Sequence, residues 1–430
     1  MNSPIDWSSH FAKLARRVTP PEISWLMKQA LETPGMISLA AGFVDQESLP
    51  NEAIAPLLHE MMTEAPSGQS SLQYGTTAGD LGLREHLAER MKKEGVFHPA
   101  SPVDASHILI GSGSQQILYL AAEAFLDEDD IVLVEAPTYF VVLGVFKARG
   151  IRFIGIDTDW EGLNTQHLKT TLDQLEREGL LNRVKMLYLM SYSTNPTGIT
   201  LSQARRCAVL QILNSYRDKG HPILLLEDGA YRRLSFQSPP PPSIKSMEEE
   251  NELVLYTESF SKSLSPGLRL GFAAGPKAII DKMVDIKGNH DFGTSNFCQQ
   301  VLKRLLDSPF FDAHQAVLHS VYQKKRDLVL DILRNTFPPE AEWMIPDGGF
   351  YSWITLPPAM DTGTDGPIFK EALAQKVLYV PGALCYSSDR AESRHASAIR
   401  LSFGMTDPVK LQMGCERLGK ALQRSMAGCR

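Results

Sequence analysis

The chain has 430 residues, of which 43% are hydrophobic, 8% aromatic and 22% charged, the composition of a globular protein rather than a disordered or fibrous one. Lys and Arg number 43 against 50 Asp and Glu, a formal net charge of −7 with no long block of one sign, so nucleic acid and anionic membrane surfaces are poor partners. The longest uncharged apolar stretch, residues 139–146, falls well short of the roughly 18 residues that a bilayer-crossing helix needs, so no membrane span is expected.

In chain order, residues 1–18 mix Asp6, Lys13, Arg16 and Arg17 without an apolar core, unlike a secretory signal, and a cytoplasmic home is expected. The cysteines (Cys207, Cys298, Cys385, Cys415 and Cys429) are odd in number and widely spaced, with no C-x-x-C pair. Neither a disulfide framework nor a metal site is expected of them, and they should be reduced and mostly buried. The first 65 or so residues read as helical with loops. Short apolar runs follow at 107–110, 131–134, 184–190, 222–226, 253–256 and 270–274. They lack polar alternation, which is how strands covered on both faces of a parallel sheet read. Between two of these runs, Ser202 is placed to cap a helix with apolar residues Ala204, Ala208, Val209, Ile212, Leu213 and Tyr216, ended by Gly220.

The predicted class is therefore α/β: a large domain with a mostly parallel sheet flanked by helices, plus a smaller α/β domain. The predicted division is 1–65 for an N-terminal arm and part of the small domain, 66–327 for the large domain, and 328–430 for the small C-terminal domain. Residues 239–242 are all proline and 248–250 all glutamate, so this stretch is expected to be an exposed loop. No internal repeat is visible.

Chemistry-bearing residues cluster at the ends of the predicted strands. Gly111-Ser112-Gly113-Ser114-Gln115-Gln116 follows one strand and opens a helix, where unpaired backbone N–H groups suit a phosphate. Gln116 stands where a dinucleotide fingerprint wants a third glycine, so a Rossmann reading is weak and an ordinary tight turn is the competing explanation. Ser191-Tyr192-Ser193-Thr194-Asn195-Pro196-Thr197-Gly198 ends a second strand, and Leu226-Glu227-Asp228-Gly229-Ala230-Tyr231 puts an acid just past a third. Ser259-Phe260-Ser261-Lys262, with Arg269 seven positions beyond the lysine, ends the fourth. A lysine among hydroxylic residues and an arginine is what a carbonyl cofactor with a phosphate tail requires. A lone solvated lysine would be the ordinary reading, but four such strand ends rarely coincide at the carboxyl edge of one sheet, where ligands of open α/β sheets bind.

With these motifs the chain resembles the fold-type I pyridoxal-phosphate enzymes of the class I/II aminotransferase family, within it the 2-aminoadipate, kynurenine and aromatic aminotransferase branch. The resemblance runs from Ile37-Ser38-Leu39-Ala40-Ala41-Gly42 to Arg400-Leu401-Ser402-Phe403. It implies pyridoxal 5'-phosphate as cofactor, with Lys262 as Schiff-base lysine and acid/base, Asp228 as the partner of the pyridine nitrogen, and Asn195 with Tyr231 on the phenolic oxygen. Lys262, Asp228 and Tyr231 are then the catalytic residues. Tyr139 falls where the family stacks an aromatic ring on the cofactor, and Ser114, Gln115, Ser259, Ser261 and Arg269 fall where it holds the phosphate. Tyr74 resembles the tyrosine that reaches the neighbouring subunit's phosphate, which implies a homodimer with shared active sites; Thr294-Ser295-Asn296 is a looser match to another interface contact. Arg400 matches the arginine that pairs with the substrate carboxylate, and Gly42 the glycine beside it, although Val44 replaces a proline common in relatives.

The resemblance implies a transaminase acting on α-amino acids and 2-oxo acids. Other pyridoxal-phosphate chemistry on the same scaffold (an eliminating lyase, a cyclase or an oxidase) is the alternative, and an aminotransferase-like sensing module a third, disfavoured because residues 1–39 have neither the length nor the basic charge expected of the DNA-binding domain it needs. Trp25 lies near the place where relatives that favour acidic side chains carry an arginine. If it lines the pocket, aromatic or other large apolar amino acids are the expected donors; packing of its helix is the competing role.

Overall fold

The computed structural model describes residues 5–428 apart from 19, 21, 65 and 388–395. Its strands are β1 (Ile37–Ser38), β2 (Ile108–Gly111), β3 (Ile131–Ala136), β4 (Arg152–Asp159), β5 (Gly162–Leu163), β6 (Val184–Met190), β7 (Leu224–Asp228), β8 (Val254–Ser259), β9 (Gly271–Ala274), β10 (Glu342–Trp343), β11 (Tyr351–Thr355), β12 (Val377–Leu378), β13 (Val380–Pro381) and β14 (Ala398–Ser402). Eight of them form one sheet in the order β2-β9-β8-β7-β6-β3-β4-β5.

Alternate residues of these strands feed two different cores, which is why the runs show no polar alternation. Val132 and Val134 of β3 pack with Ile117, Leu118 and Ala121 of the helix Ser114–Phe125. Ile131 and Leu133 face the other way, toward Leu168, Leu172 and Leu213. The predicted helix after Ser202 is present as Gln203–Arg217, with the Ser202 hydroxyl accepting the Arg205 N–H at 3.4 Å.

Two strands escape the parallel pattern: β9 runs antiparallel to both β2 and β8, and β5 runs antiparallel to β4. The apolar run 270–274 looks like its neighbours because burial, not direction, sets that pattern. β4 is absent from the sequence reading because Arg152, Asp157 and Asp159 interrupt its apolar residues near the sheet edge.

The helix Phe310–Thr336 passes without a break through residues 327 and 328 and carries the chain to a second, antiparallel sheet of order β10-β11-β14-β13. A separate two-stranded sheet pairs β1, from the N-terminal part, in parallel with β12. Residues 239–250 correct the expectation of a wholly exposed loop. A short turn, Ile244–Met247, buries Ile244 and Lys245, and Lys245 Nζ pairs with the buried Glu248 at 2.7 Å. Backbone N–H groups of Ile244 and Lys245 donate to Glu227, so the segment is sewn onto the underside of β7. Of the cysteines, Cys385 and Cys415 are buried, Cys298 is half-buried and Cys207 lies exposed on the outer side of its helix; Cys429 falls outside the described residues.

Candidate active site

The carboxyl ends of β2, β6, β7 and β8 meet the antiparallel sheet around a cavity of about 310 Å³. Its lining brings together Ser114, Gln115, Tyr139, Asn195, Asp228, Tyr231, Ser259, Ser261, Lys262 and Arg269 from the large sheet's side with Gly42, Tyr351 and Arg400 from the other.

At one end, the turn after β2 needs Gly113 at φ +81°, a backbone conformation that a side chain would strain. A Cβ there would stand 3.2 Å from the Arg269 guanidinium, so the glycine keeps a hollow open between the helix start and Arg269. Arg269 donates to the Ser112 carbonyl at 3.3 Å, and the Ser259 hydroxyl lies 3.0 Å from that of Ser261 while capping the Ser261 N–H. Gln116, the residue that spoils a dinucleotide fingerprint, braces this turn. Its side chain accepts the Ser112 N–H at 2.8 Å and donates to Asp291 at 2.7 Å, and Asp291 pairs with the buried Lys287.

At the floor, Asp228 is 2% exposed, accepting the Tyr188 hydroxyl and the Ala230 N–H at 3.0 Å each. Burial pushes its carboxyl up to about 6 despite those bonds. A cation placed against it would reverse that. Lys262 Nζ donates to the Gly42 carbonyl at 2.7 Å. Burial, then the neighbouring Arg400 and Arg269 charges, bring its amine down to about 8.

Arg400, 2% exposed on β14, donates to Asn195 Oδ1 at 2.9 Å and to the Ala40 carbonyl at 2.7 Å, while its Nε has no partner among the described residues. A buried guanidinium with an unmatched N–H is poised for an anion. The loop after Gly42 lacks proline but is held firmly. Asp45 accepts Lys325 Nζ at 2.7 Å, and its N–H donates to the Tyr322 hydroxyl at 3.0 Å.

Two predicted residues are not brought to the cavity. Trp25, on the helix Glu22–Glu32, is 40% exposed with its ring 5.9 Å from that of Phe369; the same helix presents Ile23 and Met27 to the cavity instead. A helical residue two positions away points to another side, so the resemblance locates the helix but not the face that lines the cavity. Tyr74 is 84% exposed, edge-on to Phe292 at 5.8 Å. Its loop is gripped by Asn296, whose amide donates to the carbonyls of Ser70 and Gln73, while Ser295 caps the helix Asn296–Asp307 and Thr294 donates to Ile110. Arg17 is committed to Glu128 and the Arg149 carbonyl.

Sequence reasoning missed Tyr351 and the apolar lining Ile23, Met27, Phe43 and Phe140. The turn Gly348-Gly349 was the available signal for Tyr351. A Cβ at Gly348 would stand 2.5 Å from Ser193 Oγ, and one at Gly349 3.3 Å from the Tyr231 ring, so both glycines let the start of β11 press against the strand ends.

The strand-end lysine, buried acid, amide and anion-ready arginine define a carbonyl-cofactor enzyme of the α/β class. Residues 34–418 match the family described as aminotransferase class I and II. The chain belongs to that family and is a pyridoxal-phosphate-dependent aminotransferase of fold type I. It is 33% identical over 98% of its length and 96% of the relative's to an aromatic-amino-acid aminotransferase of Thermococcus litoralis. It superposes at TM-score 0.89 and 32% identity on a Pyrococcus horikoshii kynurenine aminotransferase solved in complex with PMP, covering 98% of both chains. The α-aminoadipate aminotransferase LysN of Thermus thermophilus, complexed with N-(5'-phosphopyridoxyl)-L-leucine, matches at TM-score 0.83 and 31% identity over 98% of this chain and all of that one. No described helix is long and apolar enough to cross a membrane.

Proposed function

We propose that this aminotransferase takes amino acids with aromatic or other large apolar side chains as its first donor and a 2-oxo acid as acceptor, with the cofactor held by the residues assembled above. The observation that carries this is the cavity's composition. Among the described residues, its lining contains no arginine beyond Arg400 and Arg269, and Ile23, Met27, Phe43, Phe140 and Val141 give it an apolar side.

Bound here, pyridoxal phosphate supplies an electrophilic carbonyl carbon and an electron-accepting ring. The hollow at Gly113, with the helix N-terminus, Ser259, Ser261 and Arg269, suits its dianionic phosphate. Asp228 regains its charge beside a protonated ring nitrogen and keeps the proton there. Asn195 and Tyr231 would donate to the ring oxygen, and Tyr139 would supply an aromatic face for the ring. Lys262, already shifted toward its neutral amine, would be the nucleophile that holds the cofactor's carbonyl carbon and the base that takes the substrate's α-proton. Arg400 takes the α-carboxylate, with Gly42 alongside.

The exposed aromatic pair Tyr74 and Phe292, next to Leu72 at 68% exposure, supports a homodimer in which Tyr74 reaches the partner's site. The described cysteines are all unpaired, which favours a reducing, cytoplasmic setting. The test is to mix purified enzyme with phenylalanine, methionine, leucine, 2-aminoadipate and aspartate and to follow conversion of the cofactor to its amine form. Restoration of the starting spectrum by a 2-oxo acid is expected; a clear preference for the dicarboxylates would overturn the substrate assignment.

A further inference from the structure

Tyr351 has a place in this site that neither its neighbours' roles nor the sequence motifs assign. It is the first residue of β11, 3% exposed, and the Gly348-Gly349 turn delivers it into the cavity between three groups. Its hydroxyl lies 3.2 Å from that of Tyr231. The same hydroxyl abuts the Gly42 Cα so closely that any side chain at position 42 would displace it. Its ring forms a shelf 4.4 Å below the Arg400 guanidinium, a diagonal neighbour across the β11–β14 ladder.

A hydroxyl carries a single proton. If Tyr231 donates that proton to the cofactor's ring oxygen, it has none left for Tyr351, and the 3.2 Å contact can then be filled only by the Tyr351 O–H donating to the Tyr231 oxygen. Resting on the cofactor assignment above, we propose that Tyr351 is a positioning residue: its hydroxyl donates to Tyr231 and thereby fixes the direction, and raises the donor strength, of the proton that Tyr231 offers to the ring oxygen. Donor chains of this kind polarise one another. Burial holds Tyr231 well above the usual phenol range, so it keeps the proton that the chain needs. The titratable and charged groups acting on this pair are Tyr139 after β3, Arg400 on β14 and Tyr322 on the helix Phe310–Thr336; Asp228, Lys262 and Arg269 line the same cavity. Arg400 is held by the bonds described above, and Tyr322 accepts the Asp45 N–H.

The consequence is a shift in the proton affinity of the lysine-linked cofactor, because stabilising the ionised ring oxygen favours the deprotonated chromophore. In the holoenzyme, Tyr351→Phe should raise the pH midpoint of the visible absorbance by roughly 0.2 to 0.7 unit, and Tyr231→Phe by about 1 to 2 units. Because Tyr351 acts through Tyr231, adding Tyr351→Phe to Tyr231→Phe should move the midpoint no further. An unchanged midpoint in Tyr351→Phe overturns the proposal, as does a shift of equal size in the Tyr231→Phe background, which would mean a through-space effect. Absence of any titrating visible band in the wild-type protein would instead strike at the cofactor assignment itself, so the two failures are distinguishable.

Discussion

Lys262 Nζ donates to the carbonyl oxygen of Gly42 at 2.7 Å, joining the end of β8 to a loop 220 residues earlier in the chain. The contact places the reactive amine beside the loop that lies under Arg400, whose guanidinium in turn holds the Ala40 carbonyl. Nucleophile and carboxylate-binding cation are thus set against one short backbone segment. Their spacing depends on how firmly that segment is held.

Lys262→Ala should keep the fold and lose the covalently attached chromophore, and borohydride reduction of the wild type followed by peptide mapping should place the label on Lys262. A label on another lysine would contradict the assignment. Since the amine is brought down to about 8 from 10.5, the neutral form accumulates as pH rises through that value. The rate of reconstitution from apoenzyme should therefore climb to a plateau around pH 8 to 9 rather than near 10. Arg400→Gln should move that inflection upward, because it removes one of the two cations that depress the amine.

Asp228→Asn keeps the shape but removes the charge proposed to hold the ring proton. We expect kcat/KM to fall by several kcal/mol of transition-state stabilisation, about 3 or more, with cofactor still bound by its phosphate. Near-normal turnover would mean that the ring nitrogen has another partner. Tyr188→Phe, which deletes the 3.0 Å bond to Asp228, should cost less, on the order of 1 kcal/mol, since the Ala230 N–H still orients the carboxylate.

How far these residues can be read without coordinates follows from where they stand. Asn195, Asp228 and Lys262 each sit in a local motif after an apolar run, and the strand-end rule for α/β sheets carries them to one place. Arg400 is legible as a half-buried strand arginine. Trp25 and Tyr351 fail in opposite directions for one reason: which face of a helix or strand meets the cavity depends on contacts with Phe369 or with Gly42 and Tyr231, hundreds of positions distant in some cases. Likewise β9 has the composition of a parallel strand, and only its partners reveal that it runs the other way.

The apolar wall gives a prediction about specificity. Met27 lies in the lining on the helix Glu22–Glu32, and among the described residues the lining holds no arginine besides Arg269 and Arg400; Arg17 pairs with Glu128. Met27→Arg should raise kcat/KM for 2-aminoadipate relative to phenylalanine, by about tenfold if the new cation pairs with the distal carboxylate. Steady-state comparison of the two donors checks it, and an unchanged ratio would place the side-chain pocket elsewhere.

Shared active sites can be tested by mixing subunits. If Tyr74 completes the partner's site, Tyr74→Ala and Lys262→Ala homodimers should each be impaired. Subunit exchange between them should restore part of the activity, because a mixed dimer has one site with both residues intact. Failure to complement, with mixed dimers shown by mass, would confine each site to a single chain.

The last prediction concerns the loop that Lys262 and Arg400 share. Asp45 and Lys325 pair at 2.7 Å with little exposure, and Lys325 also donates to the Gly404 carbonyl at 2.8 Å, so one ammonium ties the 42–48 loop to the helix Phe310–Thr336 and to the segment after β14. Lys325→Met keeps the apolar stem but strands the Asp45 carboxylate, and breaking such a pair costs about 3 to 5 kcal/mol of stability. The pair holds the Asp45 carboxyl below its usual range. Its contribution is therefore present above the unfolded value near 4 and is lost as pH falls through the lower folded value. Denaturant titrations should accordingly show the stability difference between wild type and Lys325→Met intact at pH 7 and shrinking below about pH 4. Asp45→Asn with Lys325→Met should lose less than the sum of the single changes. With Gly42 less firmly held, KM for amino acids should rise in Lys325→Met even at temperatures where the protein is fully folded; an unaltered KM would show that the Gly42 loop keeps its position by other contacts.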